Sequence, residues 1–130
     1  MTRRIMIIDD DRDICDALAH RLEVMGYEPI AYTDGCSALS AITLEHERSP
    51  THLVLLDLHM PGMDGMAVLR EMKMKHPQIP VIIMSGTSLR DGFEKAIEAG
   101  ACDWIGKPID FPALRSKVDR VFQADGEPSS

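Results

Sequence analysis

Three short segments of this 130-residue chain, 5–8 (Ile-Met-Ile-Ile), 53–56 (Leu-Val-Leu-Leu) and 81–84 (Val-Ile-Ile-Met), are apolar at every position. A strand with one face in water alternates apolar and polar residues, whereas a strand apolar on both parities has to be covered on both faces. Two-sided burial is the mark of a parallel sheet held between helices, and it restricts the fold more than any other feature here. Weaker runs of the same kind lie at 29–32 and 102–105. Helical spacing fills the intervals. Ile14, Leu18, Leu22 and Met25 recur at helical intervals, with Gly26 as a stop. Asp34 precedes a second helix through Ala38, Leu39 and Ile42. A third carries Val68, Leu69 and Met72 and ends before Pro77. A fourth carries Phe93, Ala96 and Ile97 and is closed by Gly100. The fifth opens on Asp110 as N-cap and continues through Leu114, Val118, Val121 and Phe122. Strand followed by helix, five times over, predicts an α/β fold. It is a doubly wound five-stranded parallel sheet, (β/α)5, with helices on both faces.

Composition sets the outer limits. Hydrophobic residues at 45% and charged residues at 27% are the proportions of a globular domain, long enough for one core without disulfides or metals. The net charge of −7 argues against binding of nucleic acid through phosphate contacts, which needs a basic face. No apolar run approaches the ~20 residues of a bilayer span. The N-terminus passes straight into Asp9-Asp10-Asp11, so it lacks the core of a signal peptide. Cys15, Cys36 and Cys102 are odd in number and have no CxxC spacing, which fits reduced thiols. The expectation is a cytoplasmic domain over 1–122 that makes no contact with a membrane. The polar stretch 123–130 reads as a C-terminal tail or the start of a linker, suiting a stand-alone protein or the N-terminal domain of a longer one.

In a doubly wound sheet ligands bind beyond the carboxyl ends of the strands, so the residue that ends each strand matters most. The first strand ends in Asp9-Asp10-Asp11, the third in Asp57, the fourth in Ser85-Gly86 and the fifth in Gly106-Lys107-Pro108. The second ends in Thr33-Asp34, which reads as a helix cap. Taken singly, each has an ordinary explanation as turn former, cap or surface amine. Asp11 and Asp13 read as cap and first-turn acid of the first helix. Together, Asp9, Asp10, Asp57, Ser85 and Lys107 fall on one sheet edge. Three carboxylates against one ammonium raise each other's pKa or demand a counter-ion. Hard oxygen ligands point to Mg²⁺, which keeps several waters and takes one or two carboxylates. Cation, carboxylate, hydroxyl and ammonium are the parts of a phosphoryl-transfer site.

The residues that carry this chemistry also carry a resemblance. Ile-Met-Ile-Ile-Asp9-Asp10-Asp11, the segment from Asp57 through Met60-Pro61 to Asp64-Gly65, Val-Ile-Ile-Met-Ser85-Gly86, and the stretch from Ala99-Gly100-Ala101 through Trp104 to Lys107-Pro108 occur in one order. Over about 1–122 the chain resembles the receiver domains of bacterial two-component response regulators. The resemblance implies a flavodoxin-like strand order 2-1-3-4-5. It implies that Asp57 is the phospho-acceptor, attacking the phosphorus of a histidine kinase's phosphohistidine. Mg²⁺, with Mn²⁺ as a substitute, would be held by Asp10, Asp57 and the backbone carbonyl of His59, and by Asp9 mainly through water. Lys107 would pair with the phosphoryl oxygens, and the Lys107–Pro108 bond would be cis. The cation and Lys107 are expected to keep Asp57 ionised. Met60-Pro61 and Asp64-Gly65 are expected to shape a turn beside the acceptor and to start the third helix.

The resemblance implies a switch as well. A phosphoryl oxygen would accept the Ser85 hydroxyl proton, and Trp104 would rotate into the space vacated, altering the face built from the fourth helix, fifth strand and fifth helix. The implied partners are a sensor histidine kinase or phosphotransfer protein upstream and an output domain or protein downstream. The chain would act as a monomer or a phosphorylation-promoted dimer. It would catalyse only its own phosphorylation and slow dephosphorylation, and so would not be a metabolic enzyme. Ser85 stands where threonine is commoner, and Trp104 where Tyr or Phe is usual, its bulk making inward rotation harder. His59, Gly86 and Thr87 occupy positions expected to tune the site, so His59→Asn is expected to alter autodephosphorylation. His20, His46, His52 and His76 lack metal-ligand spacing and read mostly as surface residues, and the methionines read as core filler. Two rivals share some of these features. A Mg²⁺-dependent phosphohydrolase of haloacid-dehalogenase type would use Asp9-x-Asp11, but Asp13 and the lack of an acidic pair after Lys107 disfavour it. A pseudo-receiver acting only by contact is the other. An FMN binder is disfavoured by three carboxylates where its phosphate loop would lie.

Overall fold

Odd and even residues of the three apolar strands go to opposite sides of one sheet. The computed structural model describes residues 2–45, 48–60, 62–86 and 90–124. In chain order the elements are β1 (Arg4–Ile8), α1 (Arg12–Val24), β2 (Glu28–Tyr32), α2 (Gly35–Glu45), β3 (Leu53–Asp57), β4 (His59–Met60), β5 (Met63–Asp64), α3 (Gly65–Lys75), β6 (Val81–Ser85), α4 (Arg90–Glu98), β7 (Asp103–Gly106) and α5 (Phe111–Ala124). Five strands form a parallel sheet in the order β2-β1-β3-β6-β7, which is the expected 2-1-3-4-5 once the small β4–β5 pair is set aside. Met6, Ile8, Val54, Leu56, Val81 and Ile83 pack on one face with Ala38 and Ile42 of α2, Val68, Leu69 and Met72 of α3, and Ala96 of α4. Ile5, Ile7, Leu53, Leu55, Ile82 and Met84 pack on the other with Cys15, Leu18 and Leu22 of α1 and with Leu114, Val118 and Phe122 of α5. Each such aliphatic side chain contributes roughly 1.5–3 kcal/mol on burial, so neither face tolerates water. The unbroken apolar runs are therefore two interleaved half-patterns, one for each layer of helices.

Acidic side chains cap α1 and α2 where expected. The Asp11 carboxylate accepts the N–H groups of Asp13 and Ile14 at the head of α1. Asp34 accepts the Ser37 N–H at 2.7 Å, and that hydrogen bond, with the one from the Ser37 hydroxyl, holds its carboxyl below the usual range. At α5 the Asp110 carbonyl accepts the Leu114 N–H at 2.9 Å. The helix runs on to Ala124, past the expected domain limit at 122, and 125–130 lie outside the described residues. Among the described residues no helix is long and apolar enough to cross a membrane.

One local expectation is refined and two are corrected. The turn after β3 contains an antiparallel pair, His59 opposite Asp64 and Met60 opposite Met63, which two-residue strands could not announce by periodicity. Gly62 turns it with φ +72°, a conformation open to glycine. Pro61 lies outside the described residues. Ile97 is 39% exposed, although its spacing with Phe93 and Ala96 predicts one shared apolar face of α4. Ala96 takes the inward position, which places the next residue about 100° around the helix. His76 is buried at the end of α3, and the His52 Nδ1 accepts the Arg4 N–H at 2.9 Å, so these two histidines are built into the framework. His20 is exposed as expected, and His46 lies outside the described residues.

Candidate functional site

The ends of β1, β3 and β7 bring their side chains to a single ammonium group. Lys107 Nζ lies 2.7 Å from Asp9 Oδ2 and 3.2 Å from Asp57 Oδ2. The loop after β7 presents this lysine, anchored by its own N–H, which donates to the Ser85 carbonyl at 2.8 Å, and by the cis Lys107–Pro108 peptide that follows. Asp9 is fully buried, and its other oxygen accepts the Asp11 N–H at 2.9 Å. Asp57 is 2% exposed, and its Oδ1 accepts the His59 N–H at 3.0 Å. Asp10 is exposed, yet one oxygen each from Asp9, Asp10 and Asp57 all lie within 4.8 Å of one another. These residues line a cleft of about 410 Å³ together with Asp11, Ile14, His59, Gly86 and Lys107.

The charges in this cleft are not balanced by the protein alone. Burial raises the Asp57 carboxyl above the usual range, and the Asp9 charge adds to the rise. The His59 N–H and Lys107 pull it down by less. Lys107 thus favours the ionised form of Asp57, as expected, while desolvation opposes it by more. Lys107 suffers the same burial, but its hydrogen bond to Asp9 and the charges of Asp57 and Asp9 outweigh it and hold the lysine above its ordinary value. The three hard carboxylate donors, Asp9, Asp10 and Asp57, suit a divalent cation, and the residues present fit one. Beneath them the Cys15 thiol donates to the Asp9 carbonyl at 3.3 Å. Burial first, then the charges of Asp9, Asp16 and Asp11, push that thiol up to about 11, so it stays protonated and is no nucleophile.

The remaining candidates sit around the rim. Ser85 ends β6, and its hydroxyl lies 3.1 Å from His59 Nε2. Gly86 is exposed and nothing described would meet a Cβ built on it, so the cleft stays open on that side. Thr87 lies outside the described residues. Trp104 is half-buried on β7 beside Gly106, its ring centroid 5.1 Å from that of Phe93 on α4. Asp103 Oδ1 accepts both the Trp104 N–H at 2.8 Å and the Lys117 ammonium of α5 at 3.0 Å. Sequence reasoning did not foresee the His59–Ser85 contact, the Phe93–Trp104 pair or the thiol under Asp9. A histidine two residues beyond a strand end was the only signal for the first, and the others had none beyond helical spacing.

The chain matches the family described as response regulator receiver domain over residues 5–119. It is similar to the DNA-binding transcriptional regulator NtrC of Klebsiella pneumoniae, with 38% identity over 116 residues, covering 89% of this chain and 24% of that regulator. The chain thus spans about a quarter of the length of that curated relative. Among solved structures it is similar to the receiver domain of NtrX from Brucella abortus, with 36% identity and a TM-score of 0.83, covering 92% of this chain and 98% of that one. It is also similar to a CheY-like response regulator receiver domain protein from Methanospirillum hungatei JF-1. There the identity is 27% and the TM-score 0.86, covering 97% of this chain and 98% of that one.

Proposed function

The chain belongs to the response regulator receiver domain family, and from that premise we propose that Asp57 accepts a phosphoryl group from a phosphohistidine on a sensor histidine kinase or phosphotransfer protein. The observation that carries the reading is the convergence of Asp9 and Asp57 on Lys107 Nζ, at 2.7 and 3.2 Å, with the Asp10 carboxylate beside them. In the transfer an Asp57 carboxylate oxygen bonds to phosphorus while the phosphorus–nitrogen bond of the phosphohistidine breaks. The electron pair stays on the imidazole nitrogen, and the product is an acyl phosphate on Asp57. Lys107 balances charge on the phosphoryl oxygens without itself losing a proton, since its pKa is held up by Asp9 and Asp57. Asp10, Asp57 and the His59 backbone carbonyl would hold Mg²⁺, and Asp9 would reach it mainly through water. Bound there, the cation supplies positive charge to Asp57 and to the incoming phosphoryl oxygens.

A phosphoryl group adds roughly −1.5 to −2 of charge and strong acceptor oxygens beside Ser85. The Ser85 hydroxyl donates to one of them, and Trp104, packed against Phe93, answers by moving inward. The face of α4, β7 and α5 then changes shape toward an output domain or partner protein. His59 and Gly86 at the rim, with Thr87, tune how long the phosphoryl group survives. The work is self-phosphorylation and slow self-dephosphorylation in a cytoplasmic signalling pathway, with no metabolite turned over. The test is incubation with Mg²⁺ and acetyl phosphate or beryllofluoride while Trp104 fluorescence is followed. A shift in the wild type that is absent in Asp57→Ala is expected. No shift in the wild type, or an equal one in Asp57→Ala, would overturn the reading, and steady hydrolysis of phosphomonoesters would favour the phosphohydrolase instead.

A further inference from the structure

His59 touches two parts of the site with its two ends. Its main-chain N–H donates to Asp57 Oδ1 at 3.0 Å, and its imidazole Nε2 lies 3.1 Å from the hydroxyl of Ser85, 26 residues along the chain. Both supports of this second contact are firm. On one side, His59 stands opposite Asp64 in the β4–β5 pair, and Asp64 caps α3 by accepting the Met66 N–H at 3.0 Å. On the other, Ser85 is paired with Gly106 in the sheet, and its carbonyl accepts the Lys107 N–H at 2.8 Å. With the backbone of Ser85 held in the ladder, the place of its hydroxyl is decided by one side-chain torsion among a few staggered positions. The position adopted is the one that meets the imidazole.

We propose that His59 is a positioning residue for Ser85. Its imidazole holds the hydroxyl in the unphosphorylated protein, and the hydroxyl must leave it to reach a phosphoryl oxygen. The inference rests on the reading of Asp57 as phospho-acceptor and adds a resting-state constraint to it. Switching exchanges one hydrogen bond for another, so the His59 contact subtracts from the drive toward the phosphorylated conformation. This is distinct from any effect of His59 on phosphoryl loss, because it acts through Ser85 and persists with an analogue that is not hydrolysed.

The test measures beryllofluoride affinity by calorimetry in Mg²⁺, using the full chain as wild type, His59→Ala, Ser85→Ala and the double variant. His59→Ala keeps the main-chain N–H to Asp57 and removes only the imidazole. The expected result is binding about fivefold tighter in His59→Ala, the equivalent of one net neutral hydrogen bond. In the Ser85→Ala background the same substitution is expected to change nothing, the signature of two residues acting as one unit. Unchanged or weaker binding in His59→Ala, or an equal gain in both backgrounds, would overturn the proposal. Failure of the wild type to bind would overturn the acceptor reading and this inference with it. Binding by the wild type with no gain in His59→Ala would overturn the inference alone.

Discussion

At the scale of single residues, Lys107 is the ammonium that both buried carboxylates of the site share. Its side chain is 18% exposed and faces two carboxylates that are 0% and 3% exposed. Removing one partner of a buried ion pair costs far more than the pair contributes, because a desolvated charge is left behind. Lys107→Ala is therefore expected to lower the unfolding free energy by about 3 kcal/mol in the absence of divalent cations. Saturating Mg²⁺ is expected to restore part of that loss, which urea denaturation with and without the ion will measure. Tyr27 offers a second residue-level prediction. Burial first, then the hydrogen bond to Asp119 at 2.9 Å, push its phenol up to about 12. A raised phenol pKa means that the contribution to stability is complete below the unfolded value of about 10. It is lost as pH rises through about 12. Tyr27→Phe, which keeps the ring against Phe122, should flatten the fall of Tm over that alkaline interval, as thermal melts of both proteins at stepped pH will reveal.

At the scale of elements, the joint between β3 and α3 is the tightest in the molecule's working half. A Cβ on Gly65 would stand 2.6 Å from both the Cα and the carbonyl oxygen of Leu58, the residue between Asp57 and His59. Backbone cannot yield as a flexible side chain does. Gly65→Ala is expected to cost roughly 1–3 kcal/mol through overpacking. It should also weaken Mg²⁺ binding, because relief requires Leu58 and its neighbours to shift. The denaturant midpoint and a Mg²⁺ titration report the two effects separately. The start of α3 was legible in Asp64-Gly65 as a cap and a turn, and that much holds. The pairing of β4 with β5 was not legible, since two residues give no period to read. The reach of α4 was likewise overstated at Ile97, where spacing alone could not tell the centre of a buried stripe from its edge.

At the scale of the whole molecule, the site is assembled from elements that meet only when the sheet is complete. Asp9 and Lys107 are separated by 98 residues, yet they are joined at 2.7 Å. A ligand that binds this assembly and not the unfolded chain stabilises the entire fold. Mg²⁺ at a hundred times its dissociation constant is expected to raise the global unfolding free energy by about 2.7 kcal/mol. In Asp10→Asn, which removes an exposed carboxylate of the proposed metal site without disturbing the core, the same Mg²⁺ concentration should raise stability by less. Calorimetric melts across a Mg²⁺ series check both expectations.

The order of strands and helices, the covering of the sheet on both faces and the residues at the strand ends were all readable along the chain. Burial on both parities, caps and turn residues are local properties, written within a few positions of where they act. Matching motifs then placed Asp9, Asp10, Asp57, Ser85 and Lys107 in one family pattern. Only the tertiary structure decided that the Ser85 hydroxyl rests against His59, that Trp104 leans on Phe93, and that burial outweighs Lys107 in shifting the Asp57 carboxyl. Those outcomes depend on rotamers, on register between distant strands and on how much water the packed layers exclude. They are sums over neighbours from the whole fold, and no local stretch of sequence contains them.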